Sequence, residues 1–214
     1  MIRNIVFDYG NVLIRFKPEQ ELRKFVSSDE EAKELRDLIY LSKPWKDNDR
    51  GNTNRESVIR QLCALYPRKS SLINKVISQC SQWLIMPEML PGFLNELKEA
   101  GYHLFFLSNT NPTDYASMVG RYPILSAIPG IASFNEGILK PDQAIFELLL
   151  KRFSLIPSEC LFIDDMEENT KAAESLGFQT MTLTTGADSL PCFLRNHPEI
   201  GKQLREETAK KPHT

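Results

Sequence analysis

The chain has 214 residues, of which 42% are hydrophobic and 25% are charged, and its formal net charge is −2 at pH 7. This length and composition are typical of one soluble globular unit, or of a core with an insertion, that buries a substantial core. A charge so close to zero gives no reason to expect a nucleic acid or an anionic membrane surface as a partner.

The four cysteines and three histidines are scattered, with no CxxC or HxxxH spacing. A zinc site and a disulfide framework are therefore not expected. The N-terminus has no long apolar region, so no signal peptide is predicted. No segment approaches the ~18 apolar residues of a membrane span. The sequence therefore predicts a cytoplasmic protein without a membrane partner.

The first segment, Ile5–Leu13, begins with a short apolar run that is typical of a buried strand, and this run ends at Asp8. Gly10 and Asn11 follow as turn residues. In open parallel sheets, functional side chains gather just beyond the carboxyl ends of the strands, so Asp8 is placed to react or to hold a metal. An Asp that merely caps the strand before a turn is the alternative interpretation.

Residues 15–86 carry apolar side chains at helical spacing and no strand pattern. A polar segment, 43–51, is predicted to be a loop, and Trp45–Arg50 within it is the best candidate for substrate selection. A solvated loop with Trp45 packed on the helices is the alternative. The predicted helices are Pro18–Val26, Asp29–Leu41, Asn54–Tyr66 and Ser70–Leu84.

From Pro91 onward, strand and helix patterns alternate, and the tail from Lys210 to Thr214 is expected to fray. The predicted strands are His103–Leu107, a short one within Ile124–Ser133, Cys160–Ile163 and Gln179–Leu183. The predicted helices are Pro91–Ala100, Thr113–Gly120, Asp142–Phe153, Glu167–Leu176 and Leu190–Glu207. Such alternation builds parallel βαβ units. The sequence therefore predicts an α/β fold, a doubly wound parallel sheet with a helical insertion after its first strand.

Polar residues of complementary chemistry follow one predicted strand after another. Each has an ordinary alternative role, as a cap, a surface charge or an acidic bias at a helix N-terminus. They are Asp8, then Ser108 and Asn109, then Lys140 near a helix start, then Asp164 and Asp165.

Three converging carboxylates would raise one another's pKa, and a divalent cation relieves that repulsion. Mg²⁺ characteristically takes one or two carboxylates together with substrate phosphate oxygens and water. A lysine with hydroxyl and amide donors would hold the remaining phosphate charge. An Asp at the centre could then attack phosphorus and form an aspartyl-phosphate that water hydrolyses.

Four stretches, in this order and spacing, resemble the four motifs of the haloacid dehalogenase superfamily of hydrolases: Phe7–Val12, Leu107–Asn109, Lys140–Asp142 and Phe162–Asp165. The resemblance runs from Ile2 to about Leu183. It is most specific in 107–111 and 137–141. Together with the first motif, these stretches look similar to the bacterial sugar-phosphate phosphatase branch that includes glucose-1-phosphate phosphatases. The resemblance implies a Rossmann-like core, 1–14 and 87–214, with residues 15–86 as a helical cap over the site.

The resemblance also implies a Mg²⁺ site. Asp8 would be the nucleophile and a metal ligand, and the backbone carbonyl of Gly10 would be a second ligand. Asp164 and Asp165 would complete the site, and which of the two ligates the metal directly stays open.

Phosphate would be bound by Ser108 and the backbone of Asn109, and Lys140 would neutralise the charge of Asp8 and of the phosphate. One position departs from the family pattern. Most phosphatases of the superfamily have a second Asp, a general acid and base, where Gly10 stands, and such a group typically contributes ~10²–10⁴-fold to the rate. The similar branch shows the same Gly-Asn variant, so Gly10 is interpreted as a subtype. Leaving groups of low pKa, such as glycosyl or acyl phosphates, would need less acid assistance.

The leading hypothesis is a Mg²⁺-dependent phosphatase that acts on a small phosphorylated metabolite, foremost a sugar phosphate. A metal-independent haloacid dehalogenase is one alternative, against which the pair Asp164 and Asp165 argues. A catalytically silent regulatory or binding protein on the same fold is another, favoured by Gly10. The sequence does not specify the physiological substrate or the oligomeric state.

Overall fold

The structure, a computed structural model, describes residues 1–210 and places a parallel sheet of five strands at the centre of this part of the chain. The strands are β1 (Asn4–Phe7), β2 (His103–Ser108), β3 (Gly130–Ala132), β4 (Cys160–Asp164) and β5 (Gln179–Thr182). Their order is β3-β2-β1-β4-β5, and every neighbouring pair is parallel. The predicted parallel sheet is therefore confirmed.

The strand order reverses around β1. The chain moves outward from β1 through β2 to β3, and then returns to the other side of β1 to form β4 and β5. Ligands of open α/β sheets bind where the order reverses, outside the carboxyl ends of the strands. In this fold, that place lies where β1 and β4 end side by side, with Phe7 paired to Ile163.

Helices fill the connection between β1 and β2. They are α1 (Pro18–Leu22), α2 (Asp29–Tyr40), α3 (Lys43–Asp49), α4 (Arg55–Leu65) and α5 (Ser70–Gln79). Their buried apolar residues, from Leu22 to Cys80, form a cluster distinct from those around the sheet. The insertion leaves and rejoins the sheet unit at one place, because Arg15 and Ile85 form an antiparallel bridge with Arg15 N donating to Ile85 O over 2.8 Å.

The remaining helices cover the two faces of the sheet. They are α6 (Leu90–Glu99), α7 (Pro112–Arg121), α8 (Pro123–Ser126), α9 (Ser133–Glu136), α10 (Gln143–Phe153), α11 (Glu167–Ser175), α12 (Leu190–Asn196) and α13 (Pro198–Lys210). Successive strand residues point to opposite faces. Val6 and Phe162 therefore pack with α10 and α11, whereas Ile5 packs in the cluster that includes α6, α12 and α13. The sheet is doubly wound, as predicted.

The segment predicted as a loop, 43–51, is mostly helix α3, and that prediction was wrong. The Ser42 side chain accepts a hydrogen bond from Trp45 N over 3.2 Å, and Pro44 stands in the first turn. A serine N-cap followed by an early proline is a helix start signal, which the polar composition of the segment masks. Trp45 is buried in the cluster of the helical insertion.

Other boundaries also differ from the sequence-based expectation. The predicted helix Leu190–Glu207 is two helices, because His197 is extended before Pro198, a residue that disfavours helical geometry at its predecessor. The region Ile124–Ser133 holds α8 as well as the predicted short strand. The tail predicted to fray, Lys210 to Thr214, lies outside the described residues except for Lys210, which ends α13. Among the helices of residues 1–210, none combines the length and apolar character needed to cross a bilayer.

Candidate active site

Three carboxylates meet at the carboxyl ends of β1 and β4. Asp8 directly follows β1, Asp164 ends β4, and Asp165 follows it. One oxygen of each carboxylate lies within 4.8 Å of the others. The arrangement follows from the parallel pairing of β1 with β4, which brings the two strand ends to the same edge of the sheet.

Lys140 lies between two of these carboxylates. Its Nζ is 2.6 Å from Asp164 Oδ2 and 3.1 Å from Asp8 Oδ1, and it donates a third contact to Leu107 O over 2.9 Å. Lys140 stands in the turn before α10, joined to the next residue by a cis peptide bond. The Asn109 side chain holds this turn, because it accepts from Lys140 N over 2.9 Å and donates to Lys140 O over 3.0 Å.

The charges of the cluster are not balanced. Burial raises the pKa of Asp8 to about 7. Lys140 and a hydrogen bond from Ser108 oppose this rise, whereas the charges of Asp164 and Asp165 add to it. Burial also raises the pKa of Asp165. Burial alone would lower the pKa of Lys140, but Asp164 and Asp8 outweigh it and raise that pKa. One ammonium thus faces three carboxylates, a state that a bound cation relieves.

Two asparagines orient the acidic residues, although Asn11 was predicted only as a turn residue and Asn169 had no predicted role. Asn11 Nδ2 donates to Asp165 Oδ2 over 2.8 Å, and Asn169 Nδ2 donates to Asp164 Oδ1 over 2.9 Å. Asn11 has a φ of 54°, a left-handed conformation that Asn adopts more readily than most residues. Its place inside the first motif was a usable signal; Asn169 offered only its place one turn into the helix after the acidic pair.

Gly10 adjoins the Asp8 carboxylate. A Cβ added to Gly10 would lie 3.7 Å from Asp8 Oδ2, which is ordinary van der Waals contact, and the φ of Gly10 is not in the left-handed region. Neither space nor backbone conformation therefore requires glycine here. Most phosphatases of the superfamily that this chain resembles carry an acidic residue at this position, and Gly10 has no side chain to take its place.

Two cavities adjoin the cluster. The larger cavity, about 630 Å³, is lined by Asp8, Lys140 and Asp165 from the sheet unit and by helical residues that include Arg36. The smaller cavity, about 250 Å³, is lined by residues of both units, which include Ser108, Thr110 and Asn111 from the sheet unit and Trp45 and Asp49 from the helical insertion. Both cavities share the lining residues Gly10, Phe16, Tyr40, Leu41 and Asn109.

A family profile described as haloacid dehalogenase-like hydrolase matches residues 2–177 of this chain. The chain belongs to this family. Two proteins that are similar to this hydrolase in sequence are named as phosphatases. A D-ribitol-5-phosphate phosphatase of Bacteroides thetaiotaomicron is 28% identical over 88% of this chain and 95% of the relative. A sesquiterpene phosphatase of Aspergillus oryzae is 28% identical over 92% of this chain and 95% of the relative.

A solved structure has the fold of this hydrolase. It is a HAD family enzyme of Bacteroides thetaiotaomicron in complex with magnesium and inorganic phosphate, with a TM-score of 0.67 at 22% identity, over 85% of this chain and 94% of the other. At this low identity, the structural similarity shows a shared fold and nothing beyond it. The profile match over residues 2–177 confirms the hydrolase family predicted from the four motifs.

A buried polar network joins the helical insertion of the hydrolase to its sheet unit. Arg55 at the start of α4 lies 2.7 Å from Asp114 Oδ1 in α7 and donates to Asn111 Oδ1 over 3.2 Å. Asn111 caps α7 and donates to Asp49 Oδ1 over 3.2 Å, while Ser133 Oγ donates to Asp49 O over 2.6 Å. None of these contacts was predicted, because each joins residues that are far apart along the chain.

Proposed function

We propose that this hydrolase is a Mg²⁺-dependent phosphatase that acts on a small phosphorylated metabolite, foremost a sugar phosphate, through an aspartyl-phosphate on Asp8. The observation that carries the proposal is the cluster of Asp8, Asp164 and Asp165 with Lys140 between two of them. Two relatives named as phosphatases, similar over most of the chain, add support.

The residues of the cluster fit a hard divalent cation, because they offer carboxylate oxygens with an excess of negative charge. Asp8, Asp164, Asp165 and the carbonyl oxygen of Gly10 would hold Mg²⁺. The similar HAD family enzyme of Bacteroides thetaiotaomicron was solved with magnesium and phosphate, which agrees with this assignment. When bound, Mg²⁺ supplies positive charge that stabilises the phosphate oxygens during transfer.

The protein's own residues would divide the remaining work. Asp8 Oδ1 accepts hydrogen bonds from Tyr9 N over 2.7 Å and contacts Lys140 Nζ, so the carboxylate is oriented for attack on phosphorus. Lys140 would also neutralise phosphate charge. Ser108 and the backbone of Asn109 would bind phosphate oxygens, while the Asn109 side chain fixes the turn that carries Lys140.

The helical unit, residues 15–86, would act as a cap over a core made of 1–14 and 87–214. Its separate apolar cluster and the lining of both cavities from two sides support this division. A cytoplasmic location is also proposed, because all four cysteines are free thiols, a state that a reducing compartment preserves.

Phosphate release tests the proposal directly. The wild-type protein is assayed with a panel of sugar and polyol phosphates and with 4-nitrophenyl phosphate, with Mg²⁺ and with a chelator. We expect release that depends on the metal and is abolished by Asp8→Asn. Asp29→Asn is the matched control, since Asp29, the first residue of α2, has an exposed carboxylate that pairs with Arg23 and lines neither cavity.

Two results would contradict the proposal. Metal binding without phosphate release from any member of the panel would favour the catalytically silent binding protein. Chloride release from a 2-haloacid without added metal would favour the dehalogenase.

A further inference from the structure

We propose that Asp49, the last residue of α3, donates the proton that the leaving-group oxygen takes when its bond to phosphorus breaks. The inference rests on the proposed function and supplies the acid that Gly10 lacks. It names a catalytic residue in the helical unit that lines the smaller cavity together with Ser108 of the sheet unit.

An alkyl phosphate needs such a donor, because its leaving group would otherwise depart as a strongly basic alkoxide. Several candidate groups that line the cavities are already engaged. Lys140 contacts two carboxylates and a carbonyl, Glu19 pairs with Arg36, and Asp114 pairs with Arg55. Asp49 also lines the smaller cavity. Among residues 1–210, no arginine or lysine forms an ion pair with its carboxylate: the nearby Arg50 pairs with Asp47, and Arg55 pairs with Asp114.

The position of Asp49 suits the direction of the reaction. In-line displacement puts the leaving oxygen on the side of phosphorus opposite the attacking oxygen. Attack by Asp8 at the sheet edge therefore directs the leaving group away from the sheet, towards the helical unit. The smaller cavity lies in this direction, since it extends from Gly10 and Ser108 to Tyr40 and Asp49.

Contacts with the sheet unit fix Asp49 in place. Asn111 Nδ2 binds its carboxylate over 3.2 Å and Ser133 Oγ binds its carbonyl over 2.6 Å. The next turn lies tightly against α9, because a Cβ on Gly51, whose φ is 74°, would stand 2.2 Å from Phe134 O. A group held in this way loses little freedom on reaching the transition state, which is the basis of catalysis by positioning.

The electrostatic setting agrees with the geometry. Burial raises the pKa of Asp49 to about 7; the hydrogen bond from Asn111 lowers it, Asp114 of α7 raises it, and Arg55 of α4 and the neighbouring Arg50 lower it. A carboxyl group that is partly protonated near neutral pH can both give and regain a proton.

The proposed steps balance in atoms and charge. An Asp8 oxygen bonds to phosphorus while the bond from phosphorus to the leaving oxygen breaks, and this oxygen keeps the electron pair and takes the proton of Asp49. Water then attacks the phosphorus of the aspartyl-phosphate and gives a proton to the Asp49 carboxylate. The bond between phosphorus and the Asp8 oxygen breaks with its electrons returning to Asp8, and inorganic phosphate leaves.

The test compares two leaving groups in one protein. We expect Asp49→Asn to lower kcat/KM by ~10²–10⁴-fold for the best alkyl phosphate of the panel. It should change kcat/KM for 4-nitrophenyl phosphate only slightly, because nitrophenolate leaves without a proton. In the wild type, the rate with the alkyl phosphate should fall above about pH 7, because Asp49 loses its proton there. This fall should be absent in Asp49→Asn. Asp49→Glu should restore part of the rate, and Asp29→Asn should match the wild type on both substrates.

Retained turnover of the alkyl phosphate by Asp49→Asn would overturn the inference, and so would equal losses on both substrates, which indicate a structural role. A wild-type protein that hydrolyses only the aryl phosphate would overturn it too. If the wild-type protein releases phosphate from no member of the panel, the proposed function itself fails.

Discussion

Two clusters of buried charge line the candidate site, and they differ in how their one cation is shared. In the first, Lys140 contacts Asp8 and Asp164. In the second, Arg55 pairs with Asp114 and reaches Asn111, which in turn binds Asp49. In the first cluster, one ammonium contacts two of three carboxylates. In the second, the guanidinium pairs with Asp114, whereas an amide holds Asp49. The comparison teaches that a buried ion pair does not by itself indicate a reactive group, and that a carboxylate without an ion-pair partner that lines a cavity is the stronger candidate.

Of the substitutions that test this comparison, removal of Lys140 should have the largest effect on activity and on the free energy of unfolding. Lys140→Met leaves three neighbouring carboxylates without their cation, so we expect loss of activity and a fall in the free energy of unfolding of about 3–5 kcal/mol. Excess Mg²⁺ should restore part of the stability, by about 2.7 kcal/mol at 100 times its Kd. Denaturant titrations with and without Mg²⁺ measure both effects.

The control for that experiment is Lys171→Met, which removes an exposed ammonium paired with Glu167. Exposed pairs of this kind contribute little, so a loss below about 1 kcal/mol is expected. Equal losses for the two lysine variants would mean that the first cluster has no excess charge to compensate.

Arg55→Met should destabilise the protein almost as strongly but affect the chemistry less. It leaves the Asp114 carboxylate buried without its partner, at a cost of about 3 kcal/mol or more in the free energy of unfolding. The double variant Arg55→Met, Asp114→Leu should recover part of this loss, because an apolar pair carries no desolvation penalty. Failure of the double variant to recover stability, measured by denaturant titration, would mean that the network acts through more than this pair. The folded fraction of the single variant should still hydrolyse the aryl phosphate.

Asn11→Gly should separate the orientation of an acidic residue from its charge. Glycine adopts the positive φ of Asn11 without strain but removes the hydrogen bond to Asp165. The Mg²⁺ affinity, measured by calorimetry, should weaken by about 10–100-fold, the typical cost of losing a residue that orients a metal ligand. Ser154→Gly, at the other non-glycine position with a positive φ among the described residues, should leave the affinity unchanged.

Ser42→Ala should give the smallest effect. Loss of the α3 cap costs about 0.5–2 kcal/mol of stability. Ser28→Ala, which removes the corresponding cap of α2, should cost a similar amount. Only Ser42→Ala should also lower kcat/KM for the alkyl phosphate, because α3 carries Asp49. Equal kcat/KM values for the two serine variants would mean that α3 does not contribute to the reaction.

The first cluster could be predicted from the sequence because its members sit at the ends of short apolar strands. Once Asp8 and the pair Asp164 and Asp165 are placed on parallel strands, the shared edge of the sheet brings them together. The order of the motifs then gave the family. Lys140 followed from the same logic, although the geometry that holds its turn, the side chain of Asn109, did not.

The second cluster could not be predicted, because hydrophobic periodicity reports the face of a helix and not its long-range partners. Arg55 and Asp114 are 59 residues apart, and Asp49 and Asn111 are 62 apart. The polar composition of 43–51 also favoured a loop, although Ser42 and Pro44 carried the signal for α3. Polar side chains on this helix are buried by contacts with another part of the chain, a condition that local patterns do not encode.

The bridge between Arg15 and Ile85 has a consequence for how such proteins diversify. The two ends of the helical insertion lie side by side, so a segment of different length or sequence can join the sheet at the same two points without stretching either connection. Lengthening such a segment costs little in closure entropy, because this cost rises only slowly with the number of residues. If the insertion acts as the proposed cap, its exchange would change the substrate preference, while the strand ends that carry Asp8, Asp164 and Asp165 keep their positions.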